Sequence, residues 1–328
     1  VFYRTNAQSR VFEDVFIRTG LPYKIVGGVR FYERKEIRDV LAYLRVLANP
    51  EDTVSLRRVL NVPKRGIGAR AEEAVELFAA RERISFARAL RRIDEIPGIA
   101  KRSANSVRDF VALLDELAAL VPDNSPADIV EAVLSKTGYL SELAGSKDIQ
   151  DETRVENLEE FVDVAREFES TFASLVAEEP PEEEDGEPVT DPGDPTLVDF
   201  LERVALVADT DQIPEEDDEG GVVTLMTLHA AKGLEFPVVF LTGLEDGVFP
   251  HNRTLGDKQQ LEEERRLAYV GLTRAQERLY ISRAVVRSAW GTPSYNPASR
   301  FLDEIPSDLV EWKREESTLA APPSRGLG

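Results

Sequence analysis

The sequence predicts an α/β fold in which a parallel-sheet domain is interrupted by a large all-α insertion. Three observations carry this. Strand-like apolar runs occur only near the two ends of the chain, "VFY" and "YKIVGG" before residue 32, then "VVTLMTL", "PVVFLTG" and "RLYISRA" after residue 221. Between about Glu33 and Asp211 the apolar residues recur only at helical spacing. The returning strands alternate with a helical stretch, "KQQLEEERRLAYVGLTRA", which is the strand–helix–strand pattern of a parallel sheet.

Taken in order, "VFY" reads as a strand, "AQSRVFEDVFIRTG" as an amphipathic helix ended by Gly20, and "YKIVGG" as a second strand. The insertion then reads as six helical segments: "RKEIRDVLAYLRVLANP", "EEAVELFAARE", "SFARALRRI", "SANSVRDFVALLDELAALV", "PADIVEAVLS" and "TRVENLEEFVDVAREFESTFASLV". No repeat of fixed period links them. The expected boundaries are a discontinuous sheet domain at 1–32 and 221–310, an insertion at 33–220 and a flexible tail at 311–328.

Composition narrows the function classes. With 328 residues and 42% apolar content the chain has material for two cores, and no apolar run approaches a membrane span. There are no cysteines, which excludes disulfides and thiolate metal sites, and only two histidines, His229 and His251, which argues against a zinc site. No signal peptide opens the chain, so a cytoplasmic location is expected. The chain begins inside an apolar strand without Met, which points to a piece of a longer protein.

The net charge of −21 is unevenly placed. Residues 178–219 hold 18 Asp or Glu and one Arg, net −17, which leaves −4 for the rest. Within this block "EEPPEEEDGEPVTDPGDP", about 178–195, has five prolines and almost nothing apolar, and reads as a disordered loop. By contrast, Arg57 to Arg108 holds 13 Lys or Arg against 6 acids, net +7, a segment suited to facing phosphate.

The stretch "TLHAAKGLEFPVVFL", 227–241, places His229, Lys232 and Glu235 in the connection between two apolar strands. Ligands of open α/β sheets bind outside the C-terminal ends of strands, so a loop leaving "VVTLMTL" is expected at that edge. The chain contains no G-x-x-x-x-G-K-[ST] phosphate loop. Spacing alone therefore leaves two readings open, a binding loop and a solvated turn.

"VTLMTLHAAKGLEFPVVFLTGLEDGVFPH" followed by "EEERRLAYVGLTRAQERLYI" resembles the motor motifs of superfamily 1 DNA helicases of the UvrD/PcrA/Rep group. "FYRTNAQSR", "YKIVGGVRFYERKEIRDVLAYLRVLANP" and "NVPKRGIGARAEEAV" resemble the same group, in the same order, over residues 1–310. The resemblance implies a second RecA-like motor domain, 2A, split by an all-helical insertion, 2B. A first RecA-like domain, carrying the phosphate-binding loop and the acids that hold Mg²⁺, would precede Val1. It further implies an ATP-dependent 3′-to-5′ helicase acting in DNA repair or replication restart, with ATP and Mg²⁺ as cofactors. Single-stranded DNA and single/double-strand junctions would be its substrates, and repair proteins or RNA polymerase its partners. The alternative is a non-catalytic DNA-binding or partner-docking module when the first motor domain is absent.

Site roles follow from the same resemblance. Arg274 in "GLTRAQE" matches the arginine that reaches the γ-phosphate, where a forked guanidinium meets developing charge. Glu235 matches the acceptor for the ribose hydroxyl, Gly233 the point of close backbone approach, and Lys232 a position beside the nucleotide or, equally, a structural ion pair. Arg4, Asn6, His251 and Trp290 match contacts to the single strand, the indole offering a stacking face. Trp290 packed in the core and His251 capping a turn remain open as structural readings. His229 resembles a residue coupling the two sites. In the insertion, Lys64, Arg65, Gly66, Ile67, Gly68 and Arg70 form a glycine loop before a helix, a duplex-backbone contact of helix-hairpin-helix logic or a structural αα-turn. "IPGIAKRSANSV" is a looser echo of it.

Overall fold

Five strands, β1 (Phe2–Tyr3), β2 (Tyr23–Val26), β3 (Val223–Thr227), β4 (Phe236–Leu241) and β5 (Ala275–Ile281), form one sheet in the order β2-β3-β1-β4-β5. Every pairing in it is parallel, as the sequence predicts. The computed structural model describes residues 1–146, 148–178, 194–210, 221–289 and 292–313. Trp290, most of the acidic stretch 178–195 and the tail beyond 313 lie outside them.

The β1-to-β2 crossover is helix α1 (Ser9–Thr19), stopped by Gly20 in the left-handed conformation at φ 67°. Between β2 and β3 every described element is helical. The longer ones are α2 (Lys35–Ala48), α3 (Thr53–Val59), α4 (Ala69–Glu82), α5 (Phe86–Arg91), α6 (Lys101–Ala118), α7 (Pro126–Lys136), α8 (Tyr139–Ala144), α9 (Ile149–Glu178) and α10 (Leu197–Thr210). Three of these, α3, α8 and α10, have no counterpart among the segments expected from periodicity. Composition alone places the α10 stretch in the acidic block, yet the helix buries Leu197, Phe200 and Val204. After β4 comes α11 (Lys258–Leu272), whose start is capped by the Asp257 carboxylate accepting from the Gln259 and Gln260 N–H groups at 2.8 and 3.1 Å. A small antiparallel pair, β6 (Arg287–Ala289) and β7 (Thr292–Ser294), follows β5 and was not anticipated.

Two apolar cores result. One belongs to the helices and runs from Phe31 to Val204, with Tyr43, Phe110, Phe161 and Phe200 fully buried. The other lies where α11 packs on the sheet, around Phe2, Met226, Val239, Leu241 and Ala268. Between them runs a polar seam. Arg34 donates to Asn157 Oδ1 at 2.8 Å and Ser9 Oγ at 2.7 Å. Glu13 accepts the Phe31 N–H at 3.0 Å, and Asn157 donates to Glu36. Arg10 sits among Asp14, Glu160 and Glu167. Burial holds the Glu160 carboxyl above the ordinary value of 4.5, opposed by Arg10 and reinforced by Asp163, Asp14 and Glu167.

Candidate functional site

The eight-residue connection from β3 to β4, residues 228–235, is too short for the usual crossover helix between parallel strands. Leu228 and Ala231, both fully buried, pin it to the sheet core. Backbone bonds from Ala231 N to Thr227 O at 3.1 Å and from Leu234 N to Ala231 O at 3.1 Å tighten it into successive turns. The side chains of His229, Lys232, Leu234 and Glu235 are left exposed.

Strand register shows where the ends of this connection lie. Phe2 is level with Met226 of β3 and with Leu241 of β4, so the C-terminal ends of β1, β3 and β4 share one edge. Phe236, where the connection ends, is five residues below Leu241, about 17 Å away at strand rise. Glu235 therefore sits at the N-terminal edge of the sheet, beside β5, with Phe236 paired to Ala275. This corrects the expectation that the whole polar cluster would occupy the C-terminal edge. Only His229 does, because the short connection must run back across the sheet before β4 can begin.

At the N-terminal edge Arg274 follows the last turn of α11. Its Nε donates to Val270 O at 3.1 Å, one terminal nitrogen to Leu234 O at 3.3 Å and the other to the Thr273 hydroxyl at 3.0 Å. All three partners are neutral, so the guanidinium is held in place with no carboxylate partner among the described residues. Glu235 accepts from Gln276 Nε2 at 3.4 Å, a neighbour that sequence reasoning missed although it stands in the same "TRAQE" motif. Gly233 has φ 85°, and a Cβ there would meet open space, so its constraint is backbone conformation. Lys232 makes no ion pair among the described residues. The approach of α11 depends on Gly271, where a Cβ would come within 2.5 Å of Leu228 Cδ2.

At the C-terminal edge Arg4 is tied to Glu264 of α11. Its Nε lies 3.0 Å from both carboxylate oxygens and a terminal nitrogen 2.7 Å from Oε1. The same carboxylate accepts the His251 backbone N–H at 3.1 Å. Gln8 Oε1 accepts the Arg4 and Thr5 N–H groups at 2.9 and 3.0 Å, completing the turn that presents Asn6. His229 stands within reach of this charge. Although its side chain is exposed, partial desolvation against the sheet edge lowers its pKa first, Arg4 lowers it further, and Glu264 and Glu263 oppose. His251 Nε2 is 3.1 Å from Glu156 of α9.

In the helical region the "RGIG" loop is organised by Asn61, whose Oδ1 accepts the Arg65 and Ile67 N–H groups at 2.8 and 3.2 Å. Gly66 takes φ 79°, Ile67 is buried and Gly68, in extended conformation, is the N-cap of α4. Arg65 turns inward, donating to the carbonyls of Val59, Val62 and Pro63 and to the Tyr43 hydroxyl, with its plane over Phe110. Lys64 and Arg70 are exposed and free of carboxylate partners among the described residues. Much of the surrounding positive charge is neutralised: Arg57 by Glu76, Arg58 by Asp39, Arg91 by Asp115, Arg92 by Glu95 and Arg108 by Asp94. Of these acids Glu76, Glu95 and Asp94 are already counted in the net +7, and Asp39 and Asp115, which lie outside the segment, lower what it offers a phosphate backbone by about two charges.

Among the described residues no group of three or more His, Asp or Glu is placed to hold a metal ion, and no helix is long and apolar enough to cross a membrane. Comparison with known proteins gives a consistent family. The profile described as the UvrD-like helicase C-terminal domain matches residues 1–285. The ATP-dependent DNA helicase UvrD1 of Mycobacterium tuberculosis is 56% identical over 316 residues, covering 96% of this chain and 40% of the relative. The ATP-dependent DNA helicase PcrA of Bacillus subtilis is 44% identical over 330 residues, covering 100% and 42%. The chain spans about two fifths of the length of these curated relatives.

Proposed function

Because the chain belongs to the UvrD-like helicase family, whose C-terminal domain it represents, we propose that it forms the C-terminal half of an ATP-dependent 3′-to-5′ DNA helicase and translocase of DNA repair or replication restart. Residues 1–32 and 221–310 act as the second motor domain, and 33–220 as an inserted domain that contacts duplex. The observation that carries this reading is the pair of sheet edges. Arg274, Glu235 and Gly233 gather at one, Arg4, Asn6, His229 and His251 stand at the other, and both α11 and the 228–235 connection span the distance.

At the first edge the residues suit a nucleotide. A guanidinium with neutral partners has donors to turn toward a phosphate, Glu235 is an exposed acceptor for a ribose hydroxyl, and Gly233 lets backbone approach. Bound ATP supplies the phosphoanhydride whose cleavage powers movement, and Mg²⁺ is held by acids outside this chain. Arg274 orients its fork toward the γ-phosphate across a cleft whose other wall is the first motor domain. At the second edge Arg4 and Asn6 grip the strand, and His251 meets it after leaving Glu156. Trp290, a neighbour in sequence of β6, supplies a stacking surface. Lys64, Arg70 and the Gly66 and Gly68 N–H groups contact duplex backbone, with Arg65 and the Asn61-bonded Ile67 shaping the loop.

Steady-state ATP turnover with and without single-stranded DNA tests this. The protein joined to its first motor domain should hydrolyse ATP in a DNA-dependent manner, and residues 1–328 alone should bind DNA without turnover. Turnover by residues 1–328 alone would favour a self-contained nucleotide site. A joined protein that binds DNA but never hydrolyses ATP would favour the docking-module reading, which the lack of a phosphate loop in these residues supports.

A further inference from the structure

Glu264 has no role in the reading above, yet it is one of the few carboxylates buried in the sheet domain, with a side chain 6% exposed. It lies in the middle of α11, and its oxygens receive donors from two different segments of the DNA-facing edge: the Arg4 guanidinium after β1 and the His251 backbone N–H after β4. A buried carboxylate holds such donors strongly, because losing one leaves charge unpaired away from water. The far end of the same helix fixes Arg274. Thr273 ends α11 by donating back to Tyr269 O at 2.9 Å, and Arg274 Nε bonds Val270 O. Ten residues of helix, about 15 Å, separate Glu264 from Arg274.

The geometry points to Glu264 as a positioning residue that transmits occupancy of the DNA edge to Arg274 through α11. The inference rests on the reading that Arg4 and His251 meet DNA and Arg274 meets ATP. A phosphate drawn to the Arg4 fork competes with Glu264 for its donors, and any shift in this pairing acts on α11. The helix is clamped at its last turn by Gly271 against Leu228 and Leu241, so displacement at Glu264 is delivered as a change in tilt at Arg274 instead of being absorbed in a loose contact. No other charged partner of Arg4 is found among the described residues, so this pair is the direct ionic link from β1 to α11.

The test uses the full-length protein with oligo(dT) as the DNA probe. Glu264→Gln keeps the shape and removes the charge. DNA-independent ATP turnover, KM for ATP and the thermal midpoint should stay within about twofold or a few degrees of the parent, while DNA-stimulated kcat falls about tenfold, the scale of an ordinary coupling between sites. The double variant Arg4→Ala/Glu264→Gln should be no worse than the more impaired single variant, since both remove one link. If Glu264→Gln fails to fold, Glu264→Asp, which keeps the charge but shortens its reach, is read by the same ratio of stimulated to basal turnover. Normal stimulation, additive losses in the double variant, or basal and stimulated rates falling together with the midpoint each overturn the inference. A defect in Arg4→Ala beside a normal Glu264→Gln overturns it alone. Arg4→Ala indistinguishable from the parent overturns the DNA edge itself and the inference with it.

Discussion

Replacing Arg65 separates fold from DNA contact in the helical region. Its guanidinium donates to three backbone carbonyls at 2.9 to 3.2 Å and to the Tyr43 hydroxyl at 2.6 Å, and lies 5.1 Å from the centre of the Phe110 ring. Arg65→Met retains the stem against Phe110 and deletes every one of those bonds. One terminal nitrogen has two protons for three carbonyls, so the loss amounts to about three charge-assisted bonds, each worth roughly 1.5–3 kcal/mol. Partial exposure of the side chain and relief of guanidinium desolvation offset much of this, leaving a net cost of about 2–4 kcal/mol. At roughly 2–4 °C per kcal/mol for a body of this size, the midpoint should fall on the order of 5–12 °C. Far-UV circular dichroism during thermal unfolding measures this. The contrast is Lys64→Ala/Arg70→Ala, both exposed: the midpoint should hold, while the log–log salt slope of duplex binding flattens by about 1.8 units. An Arg65→Met protein with the parent's midpoint but no duplex affinity would refute the reasoning, because it would mean that Arg65 leaves its carbonyls to serve DNA.

Three further outcomes follow from the geometry. In the full-length protein Arg274→Ala should lower kcat for ATP by at least about a hundredfold, with DNA affinity measured by anisotropy little changed. Gly271→Ala should cost about 1–3 kcal/mol in urea unfolding and also depress kcat, since the new methyl would overlap a fully buried Leu228 at the turn that delivers Arg274. Glu160 gives a pH signature. Its folded pKa lies above the ordinary 4.5, so between those two values the folded state binds more protons than the unfolded, and stability falls as pH rises through that window. Glu160→Gln should remove this slope and be the more stable protein at neutral pH, because Arg10 Nε, 2.9 Å from Glu160, makes no hydrogen bond in that geometry. Chemical unfolding at stepped pH checks both signs, and a slope surviving in the variant would assign it to another group.

What the sequence determined by itself was local. Period-two and period-3.6 apolar patterns located the five sheet strands, α11 and the larger helices, because each reports which face of one segment meets a core. Motif order singled out Arg274, Glu235 and Gly233, but the sheet edge they share was set by the pairing of Phe236 with Ala275. The sequence was silent on partners far apart in the chain. Arg4 meets Glu264 across 260 residues and Arg34 meets Asn157 across 123. No local pattern distinguishes a paired arginine from a free one, which is why the net +7 segment looked uniformly available while Arg65 turned inward. Sheet order was likewise a tertiary decision: β1 lies between β3 and β4 and runs parallel to both, so residues 228–235 must return from the C-terminal to the N-terminal edge and pass a strand on the way. His229 and Glu235, six positions apart in the chain, thereby come to serve opposite edges of the same sheet.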